Sequence, residues 1–264
     1  MKTLVAAVLL LAAGSAAARN SCNLELDAGM RITDDSIEFY NEDQQTYKIV
    51  EDQYLVVRGQ VLKLNQMQQE MVTRYAASIR ATVPEVHGMA LDGIDLAIDA
   101  ITITFDRLLG EKNPVSAQLM AELSNMKSDV NRYFSEGNPI TFNRGNEDTP
   151  DFLGEYFKTR VERIVETSVQ NSIGSIIIAM GKEVLASGGN MEAFEARMNK
   201  FGEQMELQMN AKAVRMAAHG EKLCSSVLAV DVHEEQLKHA VPAVESFNII
   251  RVKASEVDIA QHKI

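Results

Sequence analysis

The spacing of apolar residues changes period at Asn65. Upstream, over residues 23–64, apolar side chains recur at every second position, as in MRITDDSIEFY, where Met30 and Ile32 precede an Asp34-Asp35 turn and Ile37 and Phe39 follow it. A period of two places alternate side chains on one face of a strand, so this stretch predicts a β-hairpin. A second hairpin is predicted in YLVVRGQVLKL, with strands at 54–57 and 61–64 joined at Arg58-Gly59 and a further strand at 46–50 between the two hairpins. Together these make a small antiparallel β-meander over residues 19–64, of about four to six strands. Downstream, Asn65 followed three positions later by Gln68 is a capping-box pair, and a helix is expected to start there. Prolines stand at 84, 114, 139, 150 and 242. Since proline lacks an N–H and crowds the preceding helical turn, these are expected at breaks between helical segments 66–82, 85–109, 114–134, 151–186 and 191–240.

In the second helical segment Ile94, Ile98, Ile101, Phe105 and Leu108 step by four and three and form one apolar stripe, with Asp92, Asp95, Asp99 and Asp106 off it. The alternation in ITITF, residues 101–105, would also suit a strand. Thr149-Pro150-Asp151 supplies a helix start and Gly188-Gly189 a helix stop. The last segment carries a heptad seam of Met191, Phe194, Met198, Phe201 and Met205, continued by Met209 and Met216. Two long helices on either side of a Gly-Gly-Asn turn predict an antiparallel, coiled-coil-like pair over 146–240. The expected fold class is therefore α+β, predominantly α. Its parts are a signal peptide at 1–18, the meander at 19–64, a helical region at 65–145, the helix pair at 146–240 and a C-terminal extension at 241–264.

The first eighteen residues, MKTLVAAVLLLAAGSAAA, combine a lysine, an apolar run and a small-residue end. This is the pattern of a cleavable secretory signal, with cleavage expected after Ala18. The run is about ten residues, half of what a membrane span needs. A soluble, exported mature chain with no transmembrane segment is expected. The formal net charge of −11 argues against nucleic acid as a partner, because phosphate binding relies on a basic surface. Only two cysteines are present, Cys22 and Cys224. In an oxidising compartment two lone cysteines usually pair, and the competing reading is a pair of free thiols, or one free thiol with a catalytic role.

Chemistry is sparse in the sequence. Asp92, Asp95 and Asp99 at helical spacing suggest a cation site or an acid–base pair, but acids opposite an apolar stripe read first as a solvated face. The loop NEDTPD at 146–151 lacks the glycine and alternating oxygens of a calcium loop and reads as a helix cap. HEEQLKH at 233–239 spaces two histidines by six, which does not place them on one helix face for zinc. The stripe Met191, Phe194, Met198, Phe201, Met205, Met209 and Met216 reads as core. It also admits an adaptable groove for an apolar ligand or client helix, or a thioether copper site with His219. Small residues in Ile173-Gly174-Ser175-Ile176 and Ala179-Met180-Gly181 allow a close helix approach, read as internal packing ahead of a dimer face. No nucleophile elbow, P-loop or dinucleotide fingerprint occurs, and neither a catalytic residue, a resident metal nor a cofactor is expected.

The cysteine just after the signal, the hairpin ending in RGQVLKLNQMQQ, the following YAASIR, the GKEVLASGGN turn and a late EKLCSSV together resemble the YggN-like family of uncharacterised Gram-negative envelope proteins. The resemblance implies a periplasmic location and supports the pairing of Cys22 with Cys224. It implies no catalytic residues. The expected role is non-enzymatic, an interaction or chaperone-like function with envelope protein partners. The alternatives are carriage of a small apolar ligand or lipid in the methionine-lined seam, and a cryptic hydrolase.

Overall fold

A computed structural model describes residues 24–41, 44–109, 113–135, 137–142 and 190–252, with isolated positions between 159 and 185. Strands β1 (Leu24–Leu26), β2 (Gly29–Ile32), β3 (Ser36–Asn41), β4 (Gln44–Val50), β5 (Tyr54–Val57) and β6 (Gln60–Val61) come first. They lead into helices α1 (Gln66–Leu109) and α2 (Pro114–Tyr133), strand β7 (Ile140–Phe142), helix α3 (Met191–Ala240), a short 3-10 turn at Pro242–Val244 and strand β8 (Ile250–Val252). The class is α+β and predominantly helical, as expected.

Both predicted hairpins form. Ile32 pairs with Ile37 across the Asp34-Asp35 turn, closed by Thr33 N–H on the Ser36 carbonyl at 2.8 Å. Val57 pairs with Gln60 across Arg58 and Gly59, whose φ values of +49° and +77° are those of a two-residue turn matched to strand twist. The six-stranded antiparallel sheet runs β6-β5-β4-β3-β2-β7. Its last strand, β7, comes from within the region read as helical. Alternation does what the pattern requires: Ile37, Phe39, Ile49 and Leu55 are completely buried on one face. Phe39 stacks on Tyr47 at 4.5 Å between ring centres and on Tyr75 of α1 at 6.0 Å. Val72, Ala76 and Ile79 of α1 and Val230 and Leu237 of α3 complete this core.

The capping box is made in full, with Gln68 N–H on Asn65 Oδ1 at 2.9 Å and Asn65 N–H on Gln68 Oε1 at 3.0 Å. Pro84 departs from expectation. It lies inside α1, so segments 66–82 and 85–109 are one helix of 44 residues, with ITITF helical within it. Packing against α3 along both halves outweighs the single lost hydrogen bond, and the Thr82 hydroxyl donates back to the Ile79 carbonyl at 2.7 Å in the turn before the proline. Asn113 caps α2 by accepting from Ser116 N–H at 2.7 Å, ahead of Pro114. Asn190 caps α3, accepting from Glu192 N–H at 2.9 Å.

The described part of the C-terminal extension, residues 241–252, is structural. β8 pairs antiparallel with β1, Leu24 against Val252 and Leu26 against Ile250, so the two ends of the described chain close on each other. A second, smaller core of Ile94, Leu119, Leu123, Met126 and Val130 joins α1 to α2. No helix among the described residues is long and apolar enough to cross a membrane.

Candidate functional site

Helices of 44 and 50 residues, at 1.5 Å rise per residue, extend about 66 and 75 Å. α3 lies antiparallel along α1 in one continuous register. Gln68 Nε2 donates to the Ala240 carbonyl at 2.7 Å at one end, and the Thr104 hydroxyl donates to Met205 Sδ at 3.6 Å near the other. Midway, a Cβ on Gly93 would sit 3.7 Å from Met216 Cε, and one on Gly220 would sit 3.7 Å from Met89 Cε. Methionine thus lies over glycine reciprocally. An antiparallel pair exists, but among the described residues the helix paired with α3 is α1. Segment 151–186, read as its partner, lies mostly outside the described residues.

The acidic row of α1 faces partners rather than water alone, which corrects the solvated-face reading. Asp95 pairs with Lys127 of α2 at 2.7 Å, Asp99 with Lys212 and Asp92 with His219 of α3, and Asn113 reaches Asp106 at 3.5 Å. Glu85 meets Lys222 at 3.2 Å, and the Ser226 hydroxyl and that ammonium hold its carboxyl below the usual carboxylate range. The contacts to Lys212, His219 and Lys222 give the α1–α3 seam a polar middle. Most of them are partly exposed, so each contributes roughly 0.2–1 kcal/mol and fixes register more than it holds the helices together.

A cavity of about 270 Å³ opens in this polar stretch, lined by Asp92, Asp95, Leu96, Ile98, Asp99, Lys212, Arg215 and Met216. Of the predicted methionine stripe, only Met216 lines it. Met205 is buried at 8 % exposure, Met198, Phe201 and Met209 are half-buried, and the side chains of Met191 and Phe194 fall outside the described set. Of the described stripe residues only Met205 is buried, while Met216 faces the polar cavity. No group of His, Cys, Asp and Glu suited to a metal ion occurs among the described residues.

Other candidates land as follows. Gly174 and Gly181 have no neighbour within 4 Å of an added Cβ, and Ile177 and Ile178 are exposed, so internal packing is not seen at these positions among the described residues. NEDTPD lies outside the described residues up to Asp151, as does Cys22. Cys224 is half-buried on α3 and is not a free thiol. His233 is half-buried and His239 exposed, and they flank Glu234, which sequence reasoning passed over. Glu234 is 1 % exposed and accepts backbone N–H bonds from Ile249 at 2.6 Å and Ile250 at 3.2 Å. The signal was present: Val230, Glu234, Leu237 and Val241 step by four, three and four, which puts a carboxylate in the buried seam.

Fold and site together define an α+β protein in which a long antiparallel helix pair rises from a six-stranded sheet. The chain belongs to the family described as protein of unknown function (DUF2884), which matches residues 22–250. No curated protein and no solved structure matches it.

Proposed function

We propose that this is an exported, periplasmic protein that acts by binding other polypeptides, a chaperone-like role carried by the outward face of α3. One observation carries the reading. Leu207 and Val214 are 74 % and 61 % exposed, and with Leu228 and Val232 they lie on the side of α3 opposite the seam that faces α1, in a row interrupted by the exposed Glu221 and Ser225. Seven-residue spacing from 207 to 214, and again from there to 228 in two steps, keeps this row on one side of the helix. Exposed apolar rows of this kind on a long helix suit extended apolar segments of unfolded clients, which offer little shape to recognise.

The signal-like N-terminus supports export, and the family resemblance supports the YggN-like assignment. A Cys22–Cys224 bridge belongs to the same proposal. It would tie the start of β1 to the middle of α3 and, by closing a loop of about 200 residues, contribute on the order of 5 kcal/mol. The carrier reading has less support, since the cavity between α1 and α3 is lined by three aspartates and is smaller than the roughly 300–1,000 Å³ usual for ligand pockets.

The test is a binding titration of the mature protein against reduced, carboxymethylated α-lactalbumin, a permanently unfolded apolar chain. Wild type should bind, and Leu207→Glu with Val214→Glu should weaken binding about tenfold or more, since each buried aliphatic side chain contributes about 1.5 kcal/mol or more. No binding by wild type, or equal binding by the double variant, overturns the reading.

A further inference from the structure

The C-terminal strand is held on an unusual catch. After Ala240 the chain turns through Pro242–Val244 and returns as residues 245–252, lying between α3 and the N-terminal strand. Its hold on the rest of the protein centres on Ile249: the carbonyl accepts from Asp27 N–H at 2.9 Å, and the N–H donates to Glu234 Oε1 at 2.6 Å. Ile250 N–H donates to the other oxygen of the same carboxylate. Around these, Asn248 donates to Asp27 and to the Ile250 carbonyl and accepts from Lys238, while Arg251 pairs with Asp27 at 2.6 Å.

Glu234 itself is fully buried and, among the described residues, its carboxylate is held through the backbone N–H groups of Ile249 and Ile250. The groups that face it are Asp231 and Lys238 from α3, Tyr47 from β4 and Tyr75 from α1. Lys238 spends its ammonium on Glu235 at 2.6 Å and on Asn248 at 2.9 Å, and Asp231 repels rather than compensates. Tyr47 and Tyr75 are completely desolvated and stay neutral, because burial drives both hydroxyls to a higher pKa. The two N–H bonds favour the charged form, but a carboxylate this deeply buried without a direct counter-ion loses its hydration, so ionisation favours a site that opens to water.

We propose that residues 245–252 form a proton-responsive strap, with Glu234 as the catch that locks it at mildly acidic pH and loosens it as the carboxyl ionises. The sign follows from linkage. Burial pushes the Glu234 carboxyl up to about 7 although both N–H bonds pull it down, whereas an opened strap returns it to water and its ordinary value of 4.5. The docked state therefore binds the proton more tightly. Docking is fully favoured below about pH 4.5 and weakens as pH rises through about 7. Loosening separates β8 from β1 and bares Val230, Leu237 and Ile249 at the sheet end of α3, far along the helix from Leu207 and Val214.

The test is amide hydrogen exchange at Ile249 and Ile250 in the mature protein across that pH range, after correction for intrinsic exchange. Protection should fall by about 100-fold from pH 4.5 to just above pH 7, within a full span of about 300-fold set by the two pKa values. In Glu234→Gln, which cannot ionise, the corrected protection should be flat. A side-chain carbon-13 titration of Glu234 in wild type keeps the test open if that variant does not fold, and an apparent pKa near 7 is expected. Protection that is constant or rises with pH, a pH dependence that survives in the variant, or a titration near 4.5 overturns the proposal.

Discussion

Replacing Met205 with aspartate tests whether the α1–α3 seam is a true core at its far end. Met205 is 8 % exposed and its sulfur accepts from the Thr104 hydroxyl across the helix pair. Removing the buried thioether forfeits about 1.5–3 kcal/mol of apolar burial. Among the described residues no cation is shown against Met205, and leaving the new carboxylate unpaired costs about 3–5 kcal/mol where the site cannot relax. The helices can part locally and Thr104 can offer one hydrogen bond, worth about 1 kcal/mol, so the net loss should be about 3–4 kcal/mol. For a chain of this size that lowers Tm by about 6–15 °C. Urea unfolding followed by circular dichroism measures the loss, with Met205→Leu as the volume-conserving control, expected below about 1.5 kcal/mol. The damage should also be local: amide exchange should quicken around Thr104 while Ile37 and Phe39 in the sheet keep their protection. A loss under about 1 kcal/mol for aspartate would refute the reasoning, because it would mean that the methionine row is a wet groove.

Three further outcomes can be checked by the same unfolding measurements. Pro84→Ala should leave the protein unchanged or stabilise it by up to about 3 kcal/mol, since alanine restores an N–H inside a helix that already runs through this position; a marked loss would show that the proline shapes α1. Arg80→Ala should cost about 1–3 kcal/mol, because its guanidinium joins α1 to the sheet through Asp52 at 2.9 Å and the Thr33 carbonyl at 2.7 Å. No change would mean those half-exposed bonds merely replace water. Cys224→Ser should lower Tm measurably under oxidising conditions and not under reducing ones, and an unchanged Tm in both would sink the bridge.

Much of the sheet was legible because its signals are local. MRITDDSIEFY and YLVVRGQVLKL carry both the alternation and the turn residues, and Asn65 with Gln68 carries its own cap. The sequence offered no such sign for β7 and β8, three residues each, whose partners β2 and β1 lie far away in the chain. A strand that short is specified by what it meets. Pro84 misled for a related reason: propensity marks a break, and tertiary packing overrode it. The same blindness hid the site. Asp92, Asp95 and Asp99 look like a solvated row until Lys127, Lys212 and His219 arrive from other helices. Glu234 was the exception that could have been found, since its place in the stripe of Val230, Leu237 and Val241 is written in the spacing.

The central claim is that the protein works through an exposed helical surface and not through a bound small molecule. Native mass spectrometry of the mature chain, purified gently and compared with its denatured mass, tests this most directly. The account predicts a bare chain in both spectra, beginning after Ala18 and two protons lighter than the reduced mass. A stoichiometric small-molecule mass that is lost on denaturation would contradict it and make the cavity between α1 and α3 the working site.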